Sequence, residues 1–349
     1  MFNYFISFVY HITIGIISIH VLSWIWKELS MGICRCKGSL NGKVVLITGG
    51  NNGIGFETTV ELARRGARLI IGCRNTKNVE SRIQNLVPDA EVELIQLDLS
   101  SCKSIQKFAE EIKLKYDKID VLINNAGMGN QRGTQKESKD GFELTMATNY
   151  LGHALLNHLL LDLVKRAGQG GDGCSRIILV SSIASADKKA ALDLCQLGPD
   201  AKSYNINFGV KEMGHPVQYG KSKLAQIMYG KHLAKVFEEQ DCNTLVASLH
   251  PGFVRTDIFQ IIPPGPKKAL IDWASYVVGK TPFQGAQTTI HLALCNFSLP
   301  FLNKNNGNFY SDCRLYNWYD FIIPKLINDP VACKSVWDET MKVLTIADI

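Results

Sequence analysis

Short runs of apolar residues recur along the chain, and between them lie longer stretches whose apolar residues follow the spacing of a helix. The runs are 44–47, 69–73, 92–97, 121–123, 177–180 and 245–249. Strands with so few polar positions are buried on both faces, and their alternation with helices is typical of a parallel sheet covered on both sides. The pattern therefore predicts one doubly wound α/β domain.

The first apolar run enters a glycine-rich turn, in which residues 48–55 read Thr-Gly-Gly-Asn-Asn-Gly-Ile-Gly, and a helical pattern follows over 56–65. Glycines at these positions let the backbone turn tightly and bring its N–H groups, with the positive end of the helix, against a pyrophosphate. The spacing Gly-x-x-x-Gly-x-Gly differs from the commoner Gly-x-Gly-x-x-Gly. A purely structural turn is therefore the alternative.

The N-terminal segment is apolar over a single, much longer stretch. Between Tyr4 and Trp26 it contains no Asp, Glu, Lys or Arg, and it is long enough to cross about 30 Å of hydrocarbon as a helix. It has no basic n-region and no small-residue cleavage site, which argues against a signal peptide. Basic residues follow the segment and none precedes it, so the folded part is expected in the cytosol. We expect a single-pass anchor at 1–27 and a linker at 28–40, with a hairpin or a surface-lying helix as alternatives.

Composition and charge narrow the class of protein. The chain has 349 residues, of which 46% are hydrophobic, and this is enough for a large core. A formal net charge of +6 without basic stripes or interleaved aromatics gives no reason to expect a nucleic-acid partner. The ten cysteines lack Cys-x-x-Cys spacing, so we expect free thiols in a reducing compartment, with no disulfide framework and no metal site. Cys34 and Cys36 are either S-acylated or unmodified.

Polar residues gather where the predicted strands end. They are Thr48, Arg74, Asp98, Asn124, Ser181 and Pro251. In doubly wound sheets, ligands bind outside these carboxyl ends. Arg74 directly follows the second strand, where an NAD site usually has an acidic residue for the ribose hydroxyls. Its guanidinium is a permanently charged, bidentate partner for a 2′-phosphate, so NADP is favoured over NAD. A solvated arginine without a partner is the alternative.

Three motifs, in this order and strand context, resemble the short-chain dehydrogenase/reductase family over nearly the whole chain from residue 41. They are the turn at 48–55, Asn-Asn-Ala-Gly at 124–127 and Tyr-Gly-Lys-Ser-Lys at 219–223. Within that family, four further segments are similar to the membrane-anchored retinol dehydrogenase branch, namely 72–75, 250–256, 285–288 and 307–313. The resemblance implies a Rossmann-type, mostly parallel sheet in one catalytic domain, 41–349, preceded by a transmembrane helix.

Tyr219 and Lys223 are four residues apart on a predicted helix, so they project from one face. An ammonium group near a phenol is expected to lower the phenol's pKa, which makes proton transfer to a carbonyl oxygen feasible. The resemblance implies that Tyr219 protonates the substrate oxygen while a nicotinamide delivers hydride, and that Lys223 also binds the nicotinamide ribose. It gives the substrate carbonyl to Ser182, with Ser181 as the structural alternative. It gives Asn149 a water in a proton relay, with a buried amide at a helix kink as the alternative.

The resemblance also implies the cofactor contacts. Asp98 would reach the adenine amino group, 125–127 would pass along the adenosine ribose, and Thr256 would meet the carboxamide; strand-end capping and turn geometry are the alternatives. The predicted contacts with NADP(H) are Gly49, Asn51, Gly53, Ile54, Gly55, Arg74, Asp98, Asn125, Ala126, Gly127, Tyr219, Lys223, Pro251, Gly252 and Thr256. The histidines show no metal-ligand spacing and are interpreted as structural.

Two segments vary from the family pattern. An insertion at 186–216 makes the link from Ser182 to Tyr219 unusually long, and it is either a flap over the substrate mouth or a tolerated surface insertion. The apolar, aromatic stretch at 257–282 follows the strand end where this family has its substrate lid. It suits a lipid-like substrate that enters from the bilayer, although ordinary helix core is the alternative.

Together these features predict an NADP(H)-dependent oxidoreductase in the endoplasmic reticulum membrane or on a lipid droplet, with its catalytic domain facing the cytosol. It would interconvert an alcohol and an aldehyde or ketone on a hydrophobic substrate such as retinol and retinaldehyde. A steroid, a fatty aldehyde or a xenobiotic carbonyl is the alternative substrate. A catalytically silent binding or scaffold protein is the alternative class, and a homodimer is left open.

Overall fold

The computed structural model of the chain describes residues 31–129, 137–169, 174–198, 203–209, 217–255, 265–295, 304–316 and 324–346, with single residues and short runs between 4 and 25. Its strands are β1 (Val44–Thr48), β2 (Arg68–Cys73), β3 (Val92–Gln96), β4 (Val121–Asn124), β5 (Ser175–Val180), β6 (Cys195–Leu197), β7 (Tyr204–Ile206), β8 (Thr244–Leu249), β9 (Phe309–Ser311) and β10 (Arg314–Leu315). Each of the six predicted apolar runs coincides with a strand, and only the third continues one residue past its strand, to Leu97.

One sheet has the strand order β10-β9-β8-β5-β4-β1-β2-β3, and β6 pairs with β7 in a separate antiparallel hairpin. The sheet is parallel except at its edge, where β10 runs antiparallel to β9. Strand order reverses between β1 and β4, which are hydrogen-bonded neighbours. The predicted doubly wound, mostly parallel fold is therefore confirmed, and its switch point lies at the end of β1.

Helices cover both faces of the sheet. They are α1 (Gly53–Arg64), α2 (Val79–Gln84), α3 (Cys102–Lys115), α4 (Leu144–Met146), α5 (Gly152–Gln169), α6 (Lys188–Leu194), α7 (Gln218–Glu239), α8 (Pro266–Val278), α9 (Pro282–Leu294), α10 (Pro324–Ile327) and α11 (Pro330–Ile346). A π-helical turn (Ala147–Leu151) joins α4 to α5, and a 3₁₀ turn (Ile183–Ala186) follows β5.

The alternation of side chains along β1 divides the core between the two faces. Val45 and Ile47 are fully buried in the cluster that includes side chains of α1 and α9. Leu46, between them, is buried in the cluster that includes side chains of α3, α5, α7 and α11. A strand with core on both sides needs apolar residues at every position, which is why the runs in the sequence are continuous.

His153 of α5 joins three segments at the switch point. Its Nδ1 lies 3.0 Å from the backbone carbonyl oxygen of Asn149, which can only accept, so Nδ1 carries the proton. Its Nε2 then accepts from the Thr48 hydroxyl at 2.9 Å. The Thr48 oxygen itself accepts from the backbone N–H groups of Asn125 and Ala126, at 3.0 Å each. One buried imidazole therefore fixes the ends of β1 and β4 against the π-helical turn, and burial lowers its pKa to about 3.

The described part of the insertion is built into the fold. Ala190 and Leu194 of α6 are fully buried, and the Tyr204 hydroxyl donates to Asp329 at 2.7 Å. Lys221 of α7, also fully buried, forms an ion pair with Asp193 of α6 at 2.5 Å. These segments pack beside α7 as structural elements, while 199–202 and 210–216 lie outside the described residues.

The predicted anchor is described only in part. Its described residues between 4 and 25 are helical, and Ile17 and Leu22 are 56% and 65% exposed. Across the described part of the chain, we find no helix of sufficient length and apolarity to cross a membrane. The ring of His20 lies 6.5 Å from that of Trp273 and 6.2 Å from that of Tyr276, so this segment contacts α8.

One pair of cysteines corrects the expectation of free thiols. Cys36 in the linker and Cys295 after α9 form a disulfide, with 5.4 Å between their Cα atoms. They are 259 residues apart, so no local spacing marks them as a pair. The expectation is wrong for these two residues, and neither of the states predicted for Cys36, acylated or unmodified, applies to a disulfide-bonded sulfur. The other eight cysteines are free, including the half-buried Cys34.

The low pKa of His153 predicts a loss of stability in acid. An unfolded histidine titrates near pH 6.5, whereas folded His153 stays neutral until about pH 3, so the unfolded state binds more protons between these values. Its contribution to stability is present above pH 6.5 and is lost as pH falls towards 3, by about 2 kcal/mol at pH 5. His153→Gln should remove this part of the pH dependence, measured by urea unfolding at pH 7 and pH 5.

The matched control is His158→Gln, because His158 is exposed on the same helix. This control should keep the acid dependence of the wild-type protein. The buried His250, with its pKa lowered by burial to about 4, contributes equally to all three proteins and cancels in the comparison. An equal acid dependence in His153→Gln and wild type would contradict the assignment.

Candidate active site

The glycine turn has the backbone shape that a closely bound phosphate group needs. Gly49 and Gly53 have φ angles of +66° and +54°, in the left-handed region that favours glycine. A Cβ atom on Gly55 would collide with the carbonyl oxygen of Gly49. The side chain of Asn52 accepts from the Gly53 N–H at 2.9 Å and caps the start of α1. Backbone geometry therefore requires glycine at the three predicted positions. Because these residues have no side chains, a ligand can approach the N-terminus of α1 closely.

The loop after β4 forms the neighbouring wall. The Asn125 amide donates to the backbone carbonyls of Thr48 and Gly49, at 2.8 and 3.2 Å, and so closes the glycine turn. Gly127 is exposed, and a Cβ atom there would lie 3.3 Å from Lys223 Nζ. The first and second motifs are therefore joined by hydrogen bonds, and the second passes close to the third. The predicted turn-geometry role of Asn125 is present, and its contact with the ribose stays a prediction.

Lys223 is the buried cation of the site. It is 3% exposed, and its Nζ donates to the carbonyl oxygen of Val180 at the end of β5, at 2.8 Å. Burial lowers its pKa to about 7, so its charge is sensitive to pH near neutrality. The Ser181 hydroxyl donates to the backbone carbonyl of Lys223 at 2.8 Å. Ser181 therefore has a structural role, as its alternative interpretation predicts.

Tyr219 and Ser182 are brought together, with a hydrogen bond between their hydroxyl groups. Ser182 also accepts from the Ala184 N–H at 3.2 Å, which caps the 3₁₀ turn and fixes the serine side chain. Burial raises the pKa of the Tyr219 phenol. The expectation that Lys223 lowers the pKa of Tyr219 is wrong for this structure, because the effect of burial is larger. Burial also lowers the pKa of Lys223, so a smaller fraction of that side chain is charged. Tyr219 is thus protonated at neutral pH, the form that donates a proton.

Asn149 is fully buried in the π-helical turn. Its side chain accepts from the Met128 N–H at 2.8 Å and donates to the Met128 carbonyl at 2.9 Å and to the Ser222 hydroxyl at 3.1 Å. Ser222 in turn donates to the backbone carbonyl of Tyr219 at 2.8 Å. The structural alternative is thus present, because this amide holds the loop after β4 against α7. Its part in a proton relay stays a prediction.

The other end of the site has two arginines, of which sequence reasoning found one. Arg74 is exposed directly after β2, as predicted. Arg82 of α2 lies with its guanidinium 4.3 Å from the centre of the Phe56 ring, and its Nη1 donates to the carbonyl of Asn51 at 3.0 Å. Asn51 also donates to the backbone carbonyl of Asn75 at 3.4 Å. No motif marks Arg82, since only the packing of α2 on the glycine turn gives it this position.

Asp98, Pro251 and Gly252 follow strands β3 and β8 at the same edge of the sheet. Asp98 accepts from the Ser100 N–H and hydroxyl at 3.0 and 2.7 Å, so its strand-end capping alternative is present. Gly252, next to Pro251, has a φ of +87°, and its N–H donates to His250 at 3.1 Å. Thr256 lies outside the described residues. The half-buried Ile54 side chain reaches the backbone of α9, where a Cβ atom on Gly285 would lie 3.2 Å from it.

Comparisons with known proteins identify the family of the chain. A family model described as short chain dehydrogenase matches residues 43–193. Retinol dehydrogenase 14 of Mus musculus is 36% identical over 315 residues, 86% of this chain and 85% of the relative. Retinol dehydrogenase 11 of Homo sapiens is 34% identical over 324 residues, 91% of each chain.

Among solved structures, the NADPH-bound carbonyl reductase from chicken fatty liver has a TM-score of 0.56 and 22% identity, over 80% of this chain and 99% of that one. At this identity the structural likeness shows the fold alone. The sequence relatives go further, because they exceed 30% identity over more than four-fifths of the chain. The chain therefore belongs to the short-chain dehydrogenase/reductase family of oxidoreductases, whose fold binds a nicotinamide cofactor, and it is similar to the retinol dehydrogenases.

Proposed function

We propose that the protein is an NADP(H)-dependent oxidoreductase that interconverts a retinoid-like alcohol and its aldehyde, with reduction as the favoured direction. The observation that carries this proposal is the group formed by Ser182, Tyr219 and Lys223 beside the glycine turn. A hydrogen-bonded serine and tyrosine next to a buried cation can hold a carbonyl oxygen and protonate it.

The chain's own residues supply the acid and its positioning. The Ser182 and Tyr219 hydroxyls bind the carbonyl oxygen, and Tyr219 transfers its phenolic proton to that oxygen as negative charge develops there. The raised pKa keeps Tyr219 protonated beforehand. The ammonium form of Lys223 then stabilises the phenolate that remains. When bound, the nicotinamide supplies hydride to the carbonyl carbon or accepts it in the reverse direction; the glycine turn, Gly127 and Lys223 would hold that cofactor.

Two cations support a preference for NADP(H). Arg74 is exposed at the end of β2, and Arg82 lies against the glycine turn. No acidic residue follows β2 at 74–76, where the carboxylate of an NAD site would stand. Guanidinium groups bind phosphate in a bidentate way, so this pair suits the 2′-phosphate. The carbonyl reductase with a similar fold was solved with NADPH bound.

Exposed apolar residues support a lipid-like substrate and a membrane location. Trp273 and Tyr276 of α8 are 47% and 63% exposed, and Phe253 and Phe283 nearby in the chain are also exposed. The relatives named above are retinol dehydrogenases. We infer that residues 1–27 anchor the protein in the endoplasmic reticulum membrane or on a lipid droplet, with the catalytic domain on the cytosolic side. The contact of His20 with α8 supports an approach of substrate from that side.

Tyr219→Phe tests the proton donor. The variant should lower kcat for retinaldehyde reduction by NADPH at least about 100-fold, since general acid catalysis typically contributes 10²–10⁴-fold. Cofactor affinity, followed by NADPH fluorescence, should change little. Tyr204→Phe is the matched control, because Tyr204 lies in the insertion and its hydroxyl donates to Asp329, just before α11. Full turnover by a folded Tyr219→Phe protein would rule out the acid role.

Arg74→Ala and Arg82→Ala test the cofactor preference. Each should weaken NADPH use, seen as a KM increase of about 10-fold or more, because a hydrogen bond to a charged group contributes about 1.5–3 kcal/mol. The KM for NADH should stay nearly constant. Arg166→Ala, which removes an exposed arginine from α5, is the control. An unchanged ratio of NADPH to NADH use in both site variants would contradict a 2′-phosphate contact.

The lowered pKa of Lys223 predicts a pH-dependent step. A neutral Lys223 cannot stabilise the phenolate, so kcat/KM for reduction should fall as pH rises through about 7, the value for the free enzyme. Lys223→Arg stays charged at all accessible pH values, and its residual activity should lack this fall. The measurement is kcat/KM between pH 6 and 9. A flat profile for the wild-type enzyme would show that Lys223 keeps its proton throughout.

A further inference from the structure

Two pairs of metal-binding side chains, Cys34 with Cys36 and His291 with Cys295, meet where the linker lies against α9. One ligand atom from each of Cys34, Cys36 and His291 lies within 4.8 Å of the others. The Cys295 sulfur is bonded to that of Cys36 and lies 3.2 Å from His291 Nδ1, and the Cys36 sulfur lies 3.4 Å from the same nitrogen. Three cysteines and one histidine form a ligand set typical of structural zinc.

The distances suit a tetrahedral ion. With zinc–sulfur and zinc–nitrogen bonds of about 2.3 and 2.0 Å, a sulfur and a nitrogen ligand are roughly 3.6 Å apart, and two sulfur ligands roughly 3.8 Å. The two sulfur–nitrogen distances at His291 are within a few tenths of an ångström of this value. The Cys34 sulfur, at most 4.8 Å from its neighbours, has about 1 Å to close. The bonded sulfurs of Cys36 and Cys295 must in addition move apart.

The charges around the cluster suit a thiolate-rich ion. Zn²⁺ with three thiolates has a net charge of −1, which nearby cations can offset in this half-buried site. Arg176, a buried residue, donates to the backbone carbonyls of Leu292 and Cys295 at 2.8 Å each. Arg65 donates to the carbonyl of Cys36 at 3.0 Å, although it is also paired with Glu61 at 2.8 Å. Each of the two disulfide-bonded cysteines therefore has a guanidinium group hydrogen-bonded to its backbone carbonyl. Arg176 provides most of the positive charge that offsets the ion and its thiolates.

We propose that Cys34, Cys36, His291 and Cys295 bind one Zn²⁺ ion in the reduced protein, and that the disulfide is the oxidised, metal-free form of the same cluster. The two forms exclude each other, because the bonded sulfurs cannot both ligate at tetrahedral spacing. A dithiol reductant breaks the sulfur–sulfur bond by thiol–disulfide exchange, giving two cysteine thiols and the oxidised reductant. Zinc then displaces one proton from each of the three thiols.

The site would fasten the linker onto the catalytic domain. The Cys34 N–H donates to the side chain of Gln287 in α9 at 3.0 Å, and the Gly32 N–H donates to Asp312 at 3.2 Å. Asp312 is also paired with Lys280 at the start of α9. The linker is therefore already aligned along α9, and the ion would convert this alignment into a fixed attachment. Cys36 and His291 also line a cleft of about 380 Å³, through which an ion can enter.

Metal titration of the full chain in detergent tests the proposal. Protein reduced with a phosphine and stripped with a chelator should bind one Co²⁺ per chain, with the visible absorption of tetrahedral thiolate-bound cobalt, and Zn²⁺ should displace it. Zinc should raise the melting temperature of the reduced protein and not of the oxidised one. Elemental analysis of protein purified under reducing conditions should find one zinc per chain.

Variants separate the metal site from the disulfide. Cys34→Ser and His291→Gln keep both bonded cysteines, so they should still form the disulfide when oxidised, yet lose at least 100-fold in zinc affinity when reduced. Cys102→Ser, at the start of α3, is the matched control and should bind as wild type. NADPH binding reports that each variant is folded. The proposal is overturned if the reduced wild-type protein binds no stoichiometric metal, or if both ligand variants bind it normally.

Discussion

The buried ammonium group of Lys223 is the constraint on which the rest of the site depends. Removing a lysine from water disfavours its charge, and only one protein hydrogen bond to it, from Nζ to the Val180 carbonyl, is described. Its pKa of about 7 means that a modest additional interaction decides whether it is charged. Under the proposed function, a bound ribose or a forming phenolate would provide such an interaction and favour the charged form of Lys223.

The polar side chains around Lys223 are hydrogen-bonded to one another and to the backbone, and these bonds keep its surroundings rigid. Asn149 is bonded to the loop after β4 and to α7, and His153 links the π-helical turn to Thr48 at the end of β1. Asn125 closes the glycine turn. The protein's own hydrogen bonds therefore fix the polar framework of the candidate site. Preorganised dipoles of this kind act on a reacting group without having to reorient.

Local patterns predicted most of the fold and the positions of several candidate site residues, because the causes of these features are local. Continuous apolar runs gave the six central strands, and the four-residue spacing of Tyr219 and Lys223 put both on one face of α7. Features that depend on distant packing were missed. Strands β9 and β10 are too short to show a period, Arg82 gains its position only through α2, and Cys36 meets Cys295 across 259 residues. The direction of the Tyr219 pKa shift was also wrong, since sequence spacing reveals a neighbouring charge but not burial.

The insertion has a physical reason that its sequence does not reveal. Lys221, two residues before Lys223 on α7, is fully buried and paired with Asp193 of α6. Removing Asp193 would leave the ammonium group of Lys221 buried without this counter-charge, which is destabilising. Of the two buried lysines on α7, Lys221 is paired with the insertion and Lys223 faces the candidate active site. Without α6, Lys221 would lack its counter-charge. Helix α7, which also contains Tyr219, would then have to rotate so that Lys221 faces water. The insertion thus supports the orientation of α7, the helix that contains Tyr219 and Lys223.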